Sequence, residues 1–169
     1  MERRITQALA IVFAGFSTLS GAVSAQELAA TATTATDVVQ LSVVERWVLD
    51  PTTVFDSNEI VIEDLHFIAR PVVVFADSPA DPQYAEQLEL LLSRVEELVI
   101  RDVIIITDTD PAARSPLRQE LRPRGFGLVF VGKDGRVALR KPAPWDVREL
   151  TRSIDKMPLR QQEIRERTE

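Results

Sequence analysis

Four aspartates, Asp77, Asp81, Asp108 and Asp110, are the residues whose type and spacing could do chemistry. The first two follow the run Val72-Val73-Val74-Phe75, and the second two follow Val103-Ile104-Ile105-Ile106. Loops that leave the carboxyl ends of parallel strands are where α/β folds place their ligands. Carboxylates gathered there could bind Ca²⁺ or Mg²⁺ through oxygen. They could also divide acid and base roles if burial split their pKa values. The same residues have plainer uses, because Asp81 and Asp110 each precede a proline as helix caps do, and Asp77 ends a strand. Ser78 has no base beside it and no G-x-S-x-G elbow around it. His66 is the only histidine, and the chain contains no cysteine. Disulfides, thiol catalysis and cysteine-ligated metals are thereby excluded.

The glycines beyond residue 25 are Gly125, Gly127, Gly132 and Gly135. A hairpin turn explains the last two. Gly125 and Gly127 flank Phe126, where a backbone without Cβ could come close to a ligand. The letters from Gly127 to Lys133 match a phosphate-binding loop, G-x-x-x-x-G-K. Asp134 stands where Ser or Thr should follow, and the four intervening residues are apolar and strand-like, so no nucleotide site is expected.

The elements that would position these residues follow from periodicity. Val72 to Phe75 reads as a buried strand. Asp81 caps and Pro82 opens a helix in which Tyr84, Leu88, Leu91, Val95 and Leu98 share one face. Val103 to Ile106 is a second buried strand, parallel to the first through a right-handed crossover. Ser115 and Pro116 start a short helix with Leu117 and Leu121 facing inward. A hairpin spans Leu128–Val131 and Val137–Leu139, turning at Asp134-Gly135. A last helix runs from about Trp145 to Met157, ended by Pro158. Arg70 and Arg101-Asp102 bracket the strands, with Asp102 or Asp155 as the expected partner of Arg70. Ser57 to Arg70 reads as a short helix or turn beneath the first strand. Ile60 and Ile62 alternate like a strand, while Val61, Leu65 and Ile68 fit a helical face. The fold class is α/β, a βαβ-α-ββα sandwich around a mixed sheet of about four strands.

Residues 1–25 read as a signal peptide. Arg3 and Arg4 precede an apolar stretch from Leu9 to Leu19, and Val23-Ser24-Ala25 supplies small residues for cleavage. The apolar stretch is well short of the ~20 residues that span a bilayer, so no membrane span is expected after cleavage. The location expected is periplasmic or secreted. Residues 26–45 are an Ala/Thr-rich flexible tether, 46–160 the folded domain and 161–169 a charged tail. Loss of Glu2, Arg3 and Arg4 takes the formal charge from −6 to −7. An acidic chain argues against nucleic acid or an anionic membrane as partner.

The element order resembles the thioredoxin fold. Asp108-Thr109-Asp110-Pro111 is similar to the Asp-x-x-Pro of thioredoxins, and Phe126 to Gly135 to their third strand and hairpin. A closer resemblance is to the exported bacterial domain-of-unknown-function family 4174, itself similar to the DUDES domain of equarin and sushi-repeat extracellular proteins. Arg70-Pro71-Val72-Val73-Val74-Phe75-Ala76, Arg101-Asp102, Gly132-Lys133-Asp134-Gly135 and Ile154-Asp155-Lys156-Met157-Pro158 carry it. The resemblance implies a thioredoxin-like sandwich and brings no established activity. Ser78-Pro79-Ala80-Asp81 stands where thioredoxins have Cys-x-x-Cys, and Gly127 where they place a cis-proline.

Two function classes remain. One is a non-redox binding module that holds an envelope protein, a peptide or a small ligand, without a cofactor. Its groove would be lined by Asp77, Ser78, Asp81, Asp108, Arg124 and Gly127. The other is an enzyme in which the aspartate cluster binds a metal or acts as acid and base. The missing thiols favour the first.

Overall fold

A computed structural model describes residues 41–168. The expected signal peptide and most of the expected tether lie outside the described residues. The first helix, α1 (Val43–Leu49), opens inside the stretch read as tether. Its start is a capping box, in which the Glu45 amide donates to Ser42 Oγ at 3.2 Å and the Ser42 amide to Glu45 Oε2 at 2.8 Å. Trp47 anchors it in the core.

The sheet has five strands, not about four, in the order Val54–Asp56 (β1), Val103–Asp108 (β3), Arg70–Phe75 (β2), Gly127–Val131 (β4), Val137–Lys141 (β5). The unexpected one is β1 (Val54–Asp56), which pairs parallel with β3 (Val103–Asp108) through Val54–Ile105, Phe55–Ile106 and Asp56–Thr107. Three residues are too few to show alternation, so this strand exists only through its partner. The central strand β2 (Arg70–Phe75) is buried throughout, parallel to β3 and antiparallel to β4 (Gly127–Val131). The hairpin closes with β5 (Val137–Lys141) at the sheet edge. Its turn uses Gly135 at φ +75°, a backbone conformation open to glycine. The fold is therefore the thioredoxin-like mixed α/β sandwich.

Helices cover both faces. On one, α1 and the helix α4 (Pro116–Leu121) join a core of Trp47, Phe55, Val73, Phe75, Ile106, Leu117 and Val129. Between β1 and β2 the chain makes two short 3₁₀ turns, Ser57–Glu59 and Ile62–Leu65. Ile60, Ile62 and Leu65 are buried here, whereas Val61 and Ile68 are exposed. The helical-face reading of Val61 and Ile68 is thus corrected: the segment follows the sheet floor, not a helix axis.

On the other face lie α2 (Pro82–Ser93), α3 (Val95–Val99) and α5 (Val147–Asp155). Asp81 and Asp146 cap two of these helices. One helix through Leu98 was expected, but the axis breaks at Arg94, with φ −136° and ψ 33°. The apolar face survives the break. Leu91 and Leu98 are fully buried, and Tyr84, Leu88 and Val95 pack beside them against Val72, Val74 and Ile105. Each of the two fully buried leucines contributes ~1.5–3 kcal/mol on burial. Gln87 sits on the same face and clasps the loop before α5. Its side chain donates to the Trp145 carbonyl at 3.1 Å and accepts the Trp145 amide at 2.7 Å.

Pro158 ends one helix and starts another, which takes in most of the expected charged tail. It is the first residue of α6 (Pro158–Glu166), a position where its missing N–H costs nothing. This helix docks on charge. Arg70, 1% exposed, donates to Glu163 Oε1 at 2.8 Å and to the Arg101 carbonyl at 2.8 Å. Asp102 lies 3.5 Å from it, and Lys133 bridges Asp102 at 2.8 Å and Glu163 at 3.0 Å. Asp155 pairs instead with Arg101, through bonds of 2.9 and 2.7 Å.

Candidate functional site at the strand ends

The loop after β2 is held by its own backbone. Ser78 Oγ accepts from the Ala80 amide at 3.2 Å, and Asp81 accepts from the Gln83 amide at 2.8 Å. Asp77 projects into solvent, with its carboxylate 3.5 Å from Arg118 Nη1. His66 precedes β2 and Ser78 follows it, so a six-residue strand of ~20 Å separates them. His66 packs instead against the Gly135 turn.

Asp108 is at the end of β3 and is 2% exposed. Its Oδ2 accepts from Ser57 Oγ at 2.8 Å and from Ser115 Oγ, and its Oδ1 accepts from Arg118 Nε at 2.8 Å. Arg118 also donates from Nη2 to the Ala76 carbonyl at 2.7 Å and to the Asp108 carbonyl at 3.0 Å, tying the ends of β2 and β3 together. The guanidinium carbon sits 5.5 Å from the centre of the Phe75 ring. Burial pushes the Asp108 carboxyl up, but hydrogen bonds from Arg118, Ser115 and Ser57 and the charge of Arg118 outweigh it. The result is a carboxylate below its ordinary range, with both oxygens engaged by protein donors.

Asp110 accepts from the Ala112 amide at 2.9 Å, so it caps a turn. Among the described residues, no three histidine or acidic side chains converge as a metal-binding group.

Arg124 and Gly127 lie on a separate feature, an open cleft of about 220 Å³. Pro123, Phe126, Val129 and Pro142 give it apolar walls, and Arg122, Arg124, Arg140 and Lys141 give it charge. Val129 stands opposite Arg140 in the β4–β5 ladder, and Gly127 is two residues from Val129, on the same face. A Cβ on Gly127 would meet only the Lys141 carbonyl, at 3.7 Å. The missing side chain is what leaves this part of the cleft open. The Gly127 peptide bond is trans, as are all those among the described residues.

Arg140 donates to the Leu121 carbonyl at 2.7 Å, and the Lys141 ammonium lies 4.2 Å from the centre of the Trp145 ring. Arg122 and Arg124 are exposed and make no ion pair among the described residues. Among the described residues, no carboxylate lines the cleft.

The structure thus divides the expected groove. Arg124 and Gly127 line the cleft, whereas Asp77, Ser78, Asp81 and Asp108 belong to the neighbouring loop and the buried network. Asp77 lies beside Gly125, with Oδ2 3.8 Å from where a Cβ on that glycine would stand. Sequence reasoning missed Arg118, Arg122, Arg140 and Lys141. The Arg122-Pro123-Arg124 triplet and the Arg140-Lys141 pair were a legible signal, as basic clusters in a chain of charge −6.

Fold and site together define a cysteine-free, thioredoxin-like α/β domain. Residues 62–163, well over half of the chain, match the Domain of unknown function (DUF4174), and the chain belongs to that family. None of the curated proteins matches the sequence. Similar solved structures include reduced desulfothioredoxin from Desulfovibrio vulgaris Hildenborough, at 22% identity and a TM-score of 0.47, covering 62% of this chain and 96% of that one. Chloroplastic thioredoxin z is 19% identical, with a TM-score of 0.46 and the same coverage. Prx1a of Plasmodium yoelii is 13% identical, with a TM-score of 0.45, covering 57% of this chain and 77% of that one.

Proposed function

We propose that this chain is an exported, non-redox binding module that holds an envelope protein, a peptide or a small ligand in the cleft beside Gly127. The observation that carries the reading is the contrast at the strand ends. Asp108 is buried and its oxygens are engaged, as suits a structural group. The Gly127 cleft is open, apolar on its walls and edged by Arg122 and Arg124 with no ion-pair partner among the described residues. A concave surface with a few polar groups is the usual form of a binding site. The absence of any thiol removes disulfide exchange from what such a fold could do. Export rests on the basic, apolar and small-residue succession of residues 1–25, and the likeness to the extracellular DUDES domain supports it by analogy.

The test is photo-crosslinking in the native envelope, comparing the parent with Gly127→Leu. The recovered chain should begin at Gln26 by intact mass. Gly127→Leu should lose the captured partner while its melting temperature stays within about 2 °C of the parent, because the new side chain fills open space. Equal capture by both proteins overturns the cleft, and a chain retaining Met1 overturns cleaved export.

A further inference from the structure

The cleft continues onto a sheet edge. β5 is the last strand in the order, so one side of it pairs with β4 and the other side has no strand. Among the described residues, no backbone hydrogen bond reaches the outer side of Val137–Lys141. An open row of amides and carbonyls is a template for another strand. The strand is short and ends in Arg140-Lys141, with Arg122 and Arg124 across the cleft. These cations repel a second copy of the same edge and attract carboxylates.

We infer that the site takes an extended peptide segment carrying several carboxylates, which adds to β5 as a strand and lays its acidic side chains over Arg122, Arg124 and Arg140, on the face of the sheet that carries Gly127 and Val129. This inference rests on the binding-module reading and names the ligand class of the same cleft. Main-chain bonds along β5 would supply affinity, and the guanidinium groups would supply specificity, the usual division of labour in strand addition. Exposed guanidinium groups with no ion pair suit bidentate pairing with carboxylates. A small hydrated anion is disfavoured because Pro123, Phe126, Val129 and Pro142 form apolar walls that cannot replace its water. Nucleic acid is disfavoured by the overall charge of −6.

The experiment is fluorescence anisotropy on the purified chain, using a labelled peptide of alternating Glu and Val. Binding should weaken as salt rises. An alternating Lys and Val peptide should not bind, and replacing the valines by proline should cost about tenfold or more, since proline cannot donate to the ladder. Arg124→Ala and Arg122→Asn should each weaken binding about threefold to tenfold. Asn keeps the left-handed conformation of residue 122 (φ +48°) accessible, and circular dichroism confirms that both variants are folded.

Equal binding of the basic peptide, or no effect of either arginine change, overturns the acidic specificity. Equal binding of the proline peptide overturns strand addition. Displacement by tripolyphosphate at lower concentration than by the unlabelled peptide reassigns the site to small anions. If the arginine variants bind normally but Gly127→Leu does not, the module reading stands and this inference falls. If neither peptide binds, this inference falls, and the crosslinking comparison judges the module separately.

Discussion

The Arg70 guanidinium, fully buried at the start of the central strand, donates to Glu163 Oε1 at 2.8 Å from a helix 93 residues further along the chain. Burial pushes the Glu163 carboxyl up, yet hydrogen bonds from Arg70 and Lys133 and the charge of Arg70 bring it down to about 2 from 4.5. A depressed folded-state pKa means stability that is fully present above about 4.5 and lost as pH falls towards 2. Glu163→Gln should cost ~2–3 kcal/mol at pH 7 by urea unfolding. That is below the ~3–5 kcal/mol of breaking a buried pair, since Asp102 remains near Arg70. The gap between parent and variant should shrink between pH 4.5 and 2. A pH-independent gap would show that the charge of Glu163 does not hold α6.

Leu91 and Val74 belong to one buried cluster between α2 and the sheet. Truncating Leu91 to Ala should destabilise the domain by ~2–5 kcal/mol, the range for a buried leucine. A loss below ~0.5 kcal/mol, typical of surface sites, would show that this face does not pack as described.

Asp108 and Arg118 join the ends of β2 and β3. Asp108→Ala leaves a mostly buried guanidinium without its carboxylate and should cost ~2–4 kcal/mol by thermal or urea unfolding. A double-mutant cycle with Arg118→Leu should return a coupling of ~0.5–3 kcal/mol. Because the Asp108 pKa is lowered, this stability is present above its ordinary value of 3.8 and lost below it. Divalent metal should leave the melting temperature of the parent unchanged. A rise that Asp77→Asn with Asp108→Asn abolishes would instead favour the metal-dependent enzyme.

The sequence alone determined the elements whose causes are local. The Val72–Phe75 and Val103–Ile106 strands, the Asp81-Pro82 cap and the Leu91–Leu98 face all announce themselves, because β-branched runs, caps and helical spacing act within a few residues. It also determined the absence of thiol chemistry. Tertiary structure decided whatever depends on residues distant along the chain. β1 is a strand only because β3 lies beside it. Pro158 follows the end of α5, as its sequence announces, and it also opens α6, a helix held by the pairing of Glu163 with Arg70. The four aspartates looked like one cluster because they share strand ends. The fold gave Asp108 to Ser57, Ser115 and Arg118, and Asp81 and Asp110 to backbone amides, while it assembled the cationic cleft from the α4–β4 loop and the end of β5. Electrostatic partners are chosen by distance in space, and sequence spacing carries no record of it.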